Sequence, residues 1–452
     1  MPSLHVCVDF GSTFTKVVAV DERGVLVATG SSRTTIDSDV MDGLDAALID
    51  GDIAATGGHQ FLACSSAGGG LRIAVVGYER AITAEAGYRV GLSAGGRVCH
   101  VTSGELRTDD VSALVASDPD VVLLVGGTDG GNSDVLLHNA RALARGSLNL
   151  PVVVAGNSGA RQQVVRILRR AQVSTTVADN VLPTIGVLDP QSARQAIREV
   201  FISHVIGGKH LSNRVDLSTW VQAATPDAVL CGVELLSDGT DDHAGVGDVV
   251  VVDVGGATTD VYSVTSPDLD DDPAAREAVA TLWRSRTVEG DLGVRWNAPG
   301  IVEAARREGF LSTGDDDLMD AAEARRADPG FLPTTTTDRT IDRELARLAA
   351  AVALRRHARP HTVGAVRYPG KDLSRVALVV GSGGVLRHSP PPVSAALVKA
   401  AVADPAGGWR TPDRAQFLVD QQYVLAAAGL MARRDPNVAM CLLRGSLLAS
   451  VE

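Results

Sequence analysis

No run of basic residues longer than a pair, such as Arg169-Arg170 or Arg355-Arg356, occurs in this chain of 452 residues, and its net charge is −12. A nucleic-acid binder draws its affinity from phosphate neutralisation, so an acidic chain without a basic stripe argues against that class. Aromatic residues make up only 4%, which favours close backbone approaches and small-residue helix contacts over aromatic binding platforms. The five cysteines, Cys7, Cys64, Cys99, Cys231 and Cys441, are scattered and form no CxxC pair. They read as reduced thiols rather than a disulfide framework or a single-chain metal cluster. Apolar runs such as Val121 to Val125 fall far short of the ~20 residues a membrane-spanning helix needs. The first strand begins almost at the N-terminus, which leaves no room for a signal peptide, and the expected location is the cytoplasm. A Walker loop is missing too: Gly208-Lys209-His210 and Gly370-Lys371-Asp372 lack the following Ser or Thr. Gly381-Ser382-Gly383-Gly384 does not complete GxGxxG, so a dinucleotide fold has little support.

What is present is a composition of 45% apolar and 21% charged residues, typical of a globular protein. The length suggests two to four domains with self-sufficient cores. Leu4 to Val20 alternates polar and apolar around a Gly-Ser-Thr break and predicts strand, tight turn, strand. Further short strands are expected at Leu71 to Val76 and Val98 to Val101, with a helix over Ala81 to Val90 between them. From Val121 the pattern becomes strand–helix alternation: strand Val121 to Val125, helix Asp134 to Ala144, strand Val152 to Ala155, helix Ala160 to Ala171, and a strand ending near Asn180. Such a run implies parallel strands with loops gathered at their C-terminal ends. Val249 to Val264 then repeats the opening design. Pro267 to Pro273 reads as a surface loop, and the polar segment from Gly314 to Asp342 as exposed and mobile. Helices are expected at Glu344 to His357 and Gln422 to Met431, with a buried strand at Val376 to Val380.

Chemistry concentrates in the two strand–glycine turn–strand elements. These are Asp9-Phe10-Gly11-Ser12-Thr13-Phe14-Thr15-Lys16 and Asp253-Val254-Gly255-Gly256-Ala257-Thr258-Thr259-Asp260. Glycines let main-chain N–H groups converge on an anion, and Ser12, Thr13, Thr258 and Thr259 add hydroxyl donors. Asp9 and Asp253 would repel a triphosphate directly, so their natural role is to hold hydrated Mg²⁺. Lys16 can offset phosphate charge. Each loop alone is also readable as an ordinary hairpin; the pair, with a third glycine loop at Gly381, Ser382, Gly383 and Gly384, points to a nucleotide clamp.

Two Asp-Gly hairpins and a late strand–glycine loop resemble the actin/heat-shock-chaperone/sugar-kinase ATPase superfamily. That resemblance makes Val380 to Val385 the adenosine loop. It makes Thr287 to Gly293, with Gly290 among its contacts, similar to a Gly-Asp-x-x-Leu-Gly-Gly segment of the chaperone ATPases. The expected fold class is α/β: a two-domain actin-like ATPase with a duplicated ribonuclease H-like core and an additional α/β insertion in the N-terminal half. The expected boundaries are 1–245 for the first half, 246–422 for the second, and 423–452 for a connecting helix and tail packing back on the first. A closer resemblance, to the glutamate mutase MutL family, rests on several blocks. They are Ser65 to Arg72, Gly126 to Asn132, Ala155-Gly156-Asn157, Gly247 to Asp260, Arg286 to Arg295 and Gly370 to Leu373.

The resemblance implies an ATP-binding and ATP-hydrolysing accessory factor that reactivates or remodels an adenosylcobalamin-dependent mutase, with ATP and Mg²⁺ as its ligands and mutase subunits as its partners. Asp9, Lys16 and Asp253 would carry the chemistry, with Asp9 and Asp253 on the metal. Gly11, Ser12, Thr13, Gly255, Gly256, Ala257, Thr258, Gly290 and the Gly381–Gly384 loop would hold the nucleotide. Two alternatives stand beside this reading: a small-molecule kinase of the same superfamily and a non-hydrolysing nucleotide sensor. Glu289 and Asp291 read either as ribose or water contacts or as a salt-bridged turn. Self-association is left open, and neither nucleic acid nor membrane is expected as a partner.

Overall fold

Valine dominates the central strands, and β-branched side chains suit a pleated surface buried on both faces. The structure, a computed structural model, describes residues 3–54, 58–67, 70–146, 148–206, 211–212, 214, 216–266, 284–312, 316–363, 366–368, 370–403, 409–412 and 414–449. The expected loop at 267–273 lies outside them. In the first half, β1 (His5–Phe10), β2 (Phe14–Val20) and β3 (Leu26–Arg33) form an antiparallel meander, and β4 (Gln60–Ser65) pairs with β1 in parallel. An excursion follows through β5 (Arg72–Gly77), β6 (Arg97–Ser103), β7 (Val121–Leu124), β8 (Val152–Val154) and β9 (Thr175–Val177). These five form a separate all-parallel sheet in the order β6-β5-β7-β8-β9. The chain then returns as β10 (Val221–Ala224), parallel to β4.

The second half repeats the plan. An antiparallel meander of β11 (Val249–Val254), β12 (Thr259–Val264) and β13 (Arg284–Glu289) comes first. A small hairpin of β14 (His361–Val363) and β15 (Val366–Tyr368) follows, and then β16 (Leu378–Ser382) and β17 (Gln416–Val419) extend the sheet in parallel from β11. Spatial order is β10-β4-β1-β2-β3 in one sheet and β17-β16-β11-β12-β13 in the other. The same order twice is a duplicated core, and with the parallel insertion it gives the two-domain actin-like architecture.

Side-chain alternation builds the layers. Val6, Val8 and Phe10 of β1 face the core shared with the insertion, while Cys7 faces the opposite side. Val250, Val252 and Val254 of β11 face the second half's own helices, and Val249 and Val251 face back toward the first half. The middle layer therefore receives side chains from both sheets. Three helices fill it, Thr225–Asp238, Val424–Met431 and Pro436–Leu443; the first two pack most closely. These two cross backbone to backbone: a Cβ on Gly429 would lie 1.8 Å from the Ala228 carbonyl oxygen, and one on Gly232 would lie 2.1 Å from that of Leu425. Asp420 accepts hydrogen bonds from the Val424 and Leu425 N–H groups and starts the second of these helices.

One expectation needs correction. The segment 314–342 contains the helix Asp316–Ala327 and the start of the helix Thr336–Ala358, whose Thr335 cap and Asp338 form a reciprocal capping box. Its polarity misled because two of its charges are internal. Asp342 and Arg325 are 2% and 3% exposed and pair at 2.6 Å.

Candidate functional site

Register places the two glycine loops alike. Asp9 pairs with Lys16 across β1–β2, and Asp253 pairs with Asp260 across β11–β12. Gly11 N–H donates to the Phe14 carbonyl at 3.2 Å, and Gly255 N–H to the Thr258 carbonyl at 2.9 Å. A Cβ on Gly11 would sit 2.5 Å from the Phe14 carbonyl oxygen, which leaves only glycine at that turn. The tips face each other across a cleft, since a Cβ on Gly256 would meet Thr13 Oγ1 at 3.1 Å.

Both loops line one cavity of about 640 Å³, within the range of small-molecule sites. Of the residues expected at a nucleotide, Asp9, Gly11, Ser12, Thr13, Lys16, Asp253, Gly255, Gly256, Ala257, Thr258, Gly383 and Gly384 line it. Gly290, Gly381 and Ser382 stand behind the wall. The Gly290 carbonyl accepts from Asn297 Nδ2, which also bonds the Ala257 carbonyl and so braces the second loop. Gly381 is overlaid by Val398 and Leu386, and the Ser382 hydroxyl bonds the Asp253 carboxyl.

Asp9 is 4% exposed. Its Oδ2 receives Lys16 Nζ at 3.3 Å, and its Oδ1 receives Thr225 Oγ1 at 2.5 Å from the start of the helix Thr225–Asp238. Lys16 Nζ also lies 3.6 Å from the centre of the Tyr423 ring, a cation–π contact that fixes the ammonium at the cavity floor. Asp253 is half-buried. Desolvation pushes its carboxyl up to about 6; Asp260 and Asp9 add repulsion, while Lys16 and the Ser382 hydrogen bond act the other way. Where the first loop ends in Lys16, the second ends in Asp260, and Arg286 neutralises it through Nε at 2.7 Å. Thr13 Oγ1 is buried with no hydrogen-bond partner among the described residues. A buried hydroxyl left unpaired costs stability, and an anion seated between the loops would complete it.

The far end of the cavity is built by Gly383, Gly384, Val385, Arg387, His388 and Ser389 together with Arg339 and Arg343. Gly383 has φ +105°, and a Cβ there would come 2.1 Å from the Val254 carbonyl oxygen. Arg343 Nε donates to Ser389 Oγ at 3.0 Å. Burial, with Arg387 beside it, keeps the His388 imidazole below its usual range and hence neutral. The outer wall, Pro329 to Pro333, is pinned by a buried triad. Arg295 and Arg325 each donate to Asp342 at 2.6 Å, and Phe331 packs over both guanidinium groups.

Glu289 and Asp291 do not line the cavity. Both are held by Arg356 at 2.7 Å, which makes that turn a salt-bridged one. His357 is a core histidine bonded to Thr287, Ser263 and Lys371. Sequence reasoning did not single out Thr225, Arg286, Tyr423 or Arg97. Thr225-Pro226-Asp227 carries a helix-start signal, but its partner Asp9 is 216 positions away. No local pattern encodes that distance.

The profile of the family described as "MutL protein" matches residues 5–447. A curated relative, "Protein MutL" from Clostridium tetanomorphum, is 36% identical over 459 residues, covering 98% of this chain and 99% of its own length. Among solved structures, a nucleotide-free acetone carboxylase aligns with a TM-score of 0.41 at 14% identity, over 96% of this chain and 70% of the other. A ROK family glucokinase from Streptomyces griseus in complex with glucose and AMPPNP aligns with a TM-score of 0.33 at 13% identity, over 97% and 98%.

Proposed function

The chain belongs to the MutL family, and from the geometry of its cleft we propose that it binds MgATP between the loops Asp9–Lys16 and Asp253–Asp260 and hydrolyses it. The observation that carries this reading is the pair of matched glycine hairpins facing each other around the partnerless Thr13 hydroxyl. Main-chain N–H groups of both loops and the hydroxyls of Ser12, Thr13 and Thr258 would take the phosphates, and the Gly383–Ser389 end would take the nucleoside. Among the described residues no three His, Cys, Asp or Glu side chains are grouped to hold a metal ion. Asp9 and Asp253 would therefore hold Mg²⁺ through its waters and the phosphates, the mode this ion favours. Magnesium would supply charge neutralisation at the leaving oxygen. Lys16 supplies a second positive charge at the floor of the same cavity.

The proposed use of that hydrolysis is to reactivate or remodel an adenosylcobalamin-dependent mutase, supported by the family resemblance. A kinase reading is less well supported, because a kinase needs a carboxylate free to accept the proton of an acceptor hydroxyl. Asp9, Asp260 and Asp342 line the cavity but are engaged by Lys16 and Thr225, by Arg286, and by Arg295 and Arg325. Asp253, the remaining one, faces the metal position. Two measurements test the reading. Asp9→Ala and Asp253→Ala should each weaken Mg-dependent ATP binding by about ten- to a hundredfold, as expected for losing charge-assisted contacts; unchanged affinity in both removes the nucleotide site. Purified protein with ATP should restore turnover to an inactivated mutase, and failure with every adenosylcobalamin mutase of the source cell removes the accessory role.

A further inference from the structure

We propose that Arg97, carried by the inserted domain rather than by either half of the duplicated core, is the cation that meets the terminal phosphate of ATP; this rests on the MgATP reading above. Arg97 opens β6 and lines the cavity together with Gly95. Its guanidinium Cζ and Nη1 lie 3.9 Å from the position a Cβ on Gly290 would take. Gly290 is one step beyond the Thr259–Glu289 pair of the β12–β13 ladder, which puts it level with Thr258 of the second loop. The arginine therefore approaches the phosphate end of the cavity beside the second loop.

The backbone that carries this exposed side chain is fixed, and the head of the side chain is free. The Arg97 N–H donates to the Leu71 carbonyl at 2.7 Å, and the Gly96 carbonyl accepts from Arg286 Nη1 at 3.2 Å. A Cβ on Gly95 would lie 2.7 Å from the Asp227 nitrogen, so the turn is pressed against the start of the helix Thr225–Asp238. Yet the Arg97 guanidinium has no hydrogen bond or ion pair among the described residues. Most other arginines of the cavity are committed: Arg286 to Asp260, Arg295 to Asp342, Arg343 to Ser389 and Arg339 to the Thr334 carbonyl. Arg387 lines the cavity with the Gly383–Ser389 segment, where its charge acts on His388 and Asp420. An unpaired planar donor set on a held backbone suits a phosphoryl group.

In hydrolysis the water oxygen bonds to the terminal phosphorus. The bond from that phosphorus to the β–γ bridging oxygen breaks and ADP leaves with the electron pair; one water proton stays on the new P–OH, and the other passes to a second oxygen of the inorganic phosphate. Negative charge gathers on the equatorial and bridging oxygens, where a guanidinium supplied in cis acts most strongly. Since the inserted domain owns this guanidinium, displacing that domain withdraws it. Turnover then depends on how the insertion is held.

Binding of ATP, its non-hydrolysable analogue AMPPNP and ADP, each with Mg²⁺, should be measured by titration calorimetry on the full chain, wild type beside Arg97→Ala and Arg97→Lys, with phosphate release followed in parallel. Arg97→Ala should lose about ten- to a hundredfold in AMPPNP affinity while ADP affinity stays within about threefold, and turnover should fall on the order of 10²–10³-fold. Arg97→Lys should recover part of the affinity and less of the turnover, because the fork geometry is lost. Retained ADP binding shows that the variant is folded. An AMPPNP-to-ADP affinity ratio equal to that of wild type overturns the role of Arg97 and leaves the ATP site standing. Wild type that binds no nucleotide overturns both.

Discussion

Asp253 stands between two demands, a dry cleft that disfavours its charge and, on the proposed MgATP reading, a ligand that requires it. In the unfolded chain it ionises near the ordinary aspartate value of about 3.9; in the folded protein desolvation, reinforced by Asp260 and Asp9, pushes it up to about 6. Between those values the folded state binds more protons, so its stability falls as pH rises through the window and stays lower above it. Asp253→Asn should remove that fall. In melts at pH 4.5 and pH 7, the ligand-free variant should show a higher Tm than wild type at pH 7 and lack the extra stabilisation that the proposed binding of Mg²⁺ with nucleotide would give wild type. A variant melting below wild type at pH 7 would contradict the electrostatic account. At this scale strand-end position and glycine spacing were enough to single out Asp9, Lys16 and Asp253, which line the cavity. The groups it hid, Thr225, Arg286 and Arg97, act through partners remote in the chain, and no short-range period marks them.

Among elements, the helices Thr225–Asp238 and Val424–Met431 join the halves where Gly232 and Gly429 let main chains touch. Gly429→Ala places a methyl group 1.8 Å from the Ala228 carbonyl oxygen, and because the backbone fixes the position of Cβ no rotamer can relieve the clash. Overpacking of this kind costs about 1–3 kcal/mol. Denaturant unfolding should show that loss, whereas Ala432→Gly, three residues on, should not shift the helix crossing. The small-residue helix at the chain's end was legible from its run of alanines. The first four strands of the insertion were legible within about two residues, because apolar runs leave few alternatives; the last, Thr175–Val177, ends three residues before the expected Asn180. The helices of 316–342 were not, because a buried Arg–Asp–Arg triad looks polar in sequence and is internal only through partners on separate elements.

Across the whole molecule, Asp227 ties three regions together. It is buried two residues beyond Thr225 and accepts from Arg194 and Arg198 of the inserted domain and from Arg433 beyond the Val424–Met431 helix. Burial alone would raise its carboxyl, but the three arginines outweigh that and hold it below the usual carboxylate range. Asp227→Ala would leave Arg198 and Arg433 without their counter-charge and Arg194 with Glu234 alone, a loss of about 3–5 kcal/mol by the usual cost of breaking a buried pair. Hydrogen exchange should show the helix Gln191–Val200 and the segment around Arg433 losing protection together. Protection lost in only one of them would mean the regions are held independently.

The Gly232–Gly429 crossing also bears on how the cleft can move. Interfaces of interlocked side chains shift in steps, because knobs must leave one set of holes before entering another. Two helices resting main chain on main chain have no such teeth at their point of closest approach. They form a smooth bearing rather than a ratchet. On the proposed MgATP reading, a ligand one phosphate longer would hold the halves at a different opening without repacking at the Gly232–Gly429 contact.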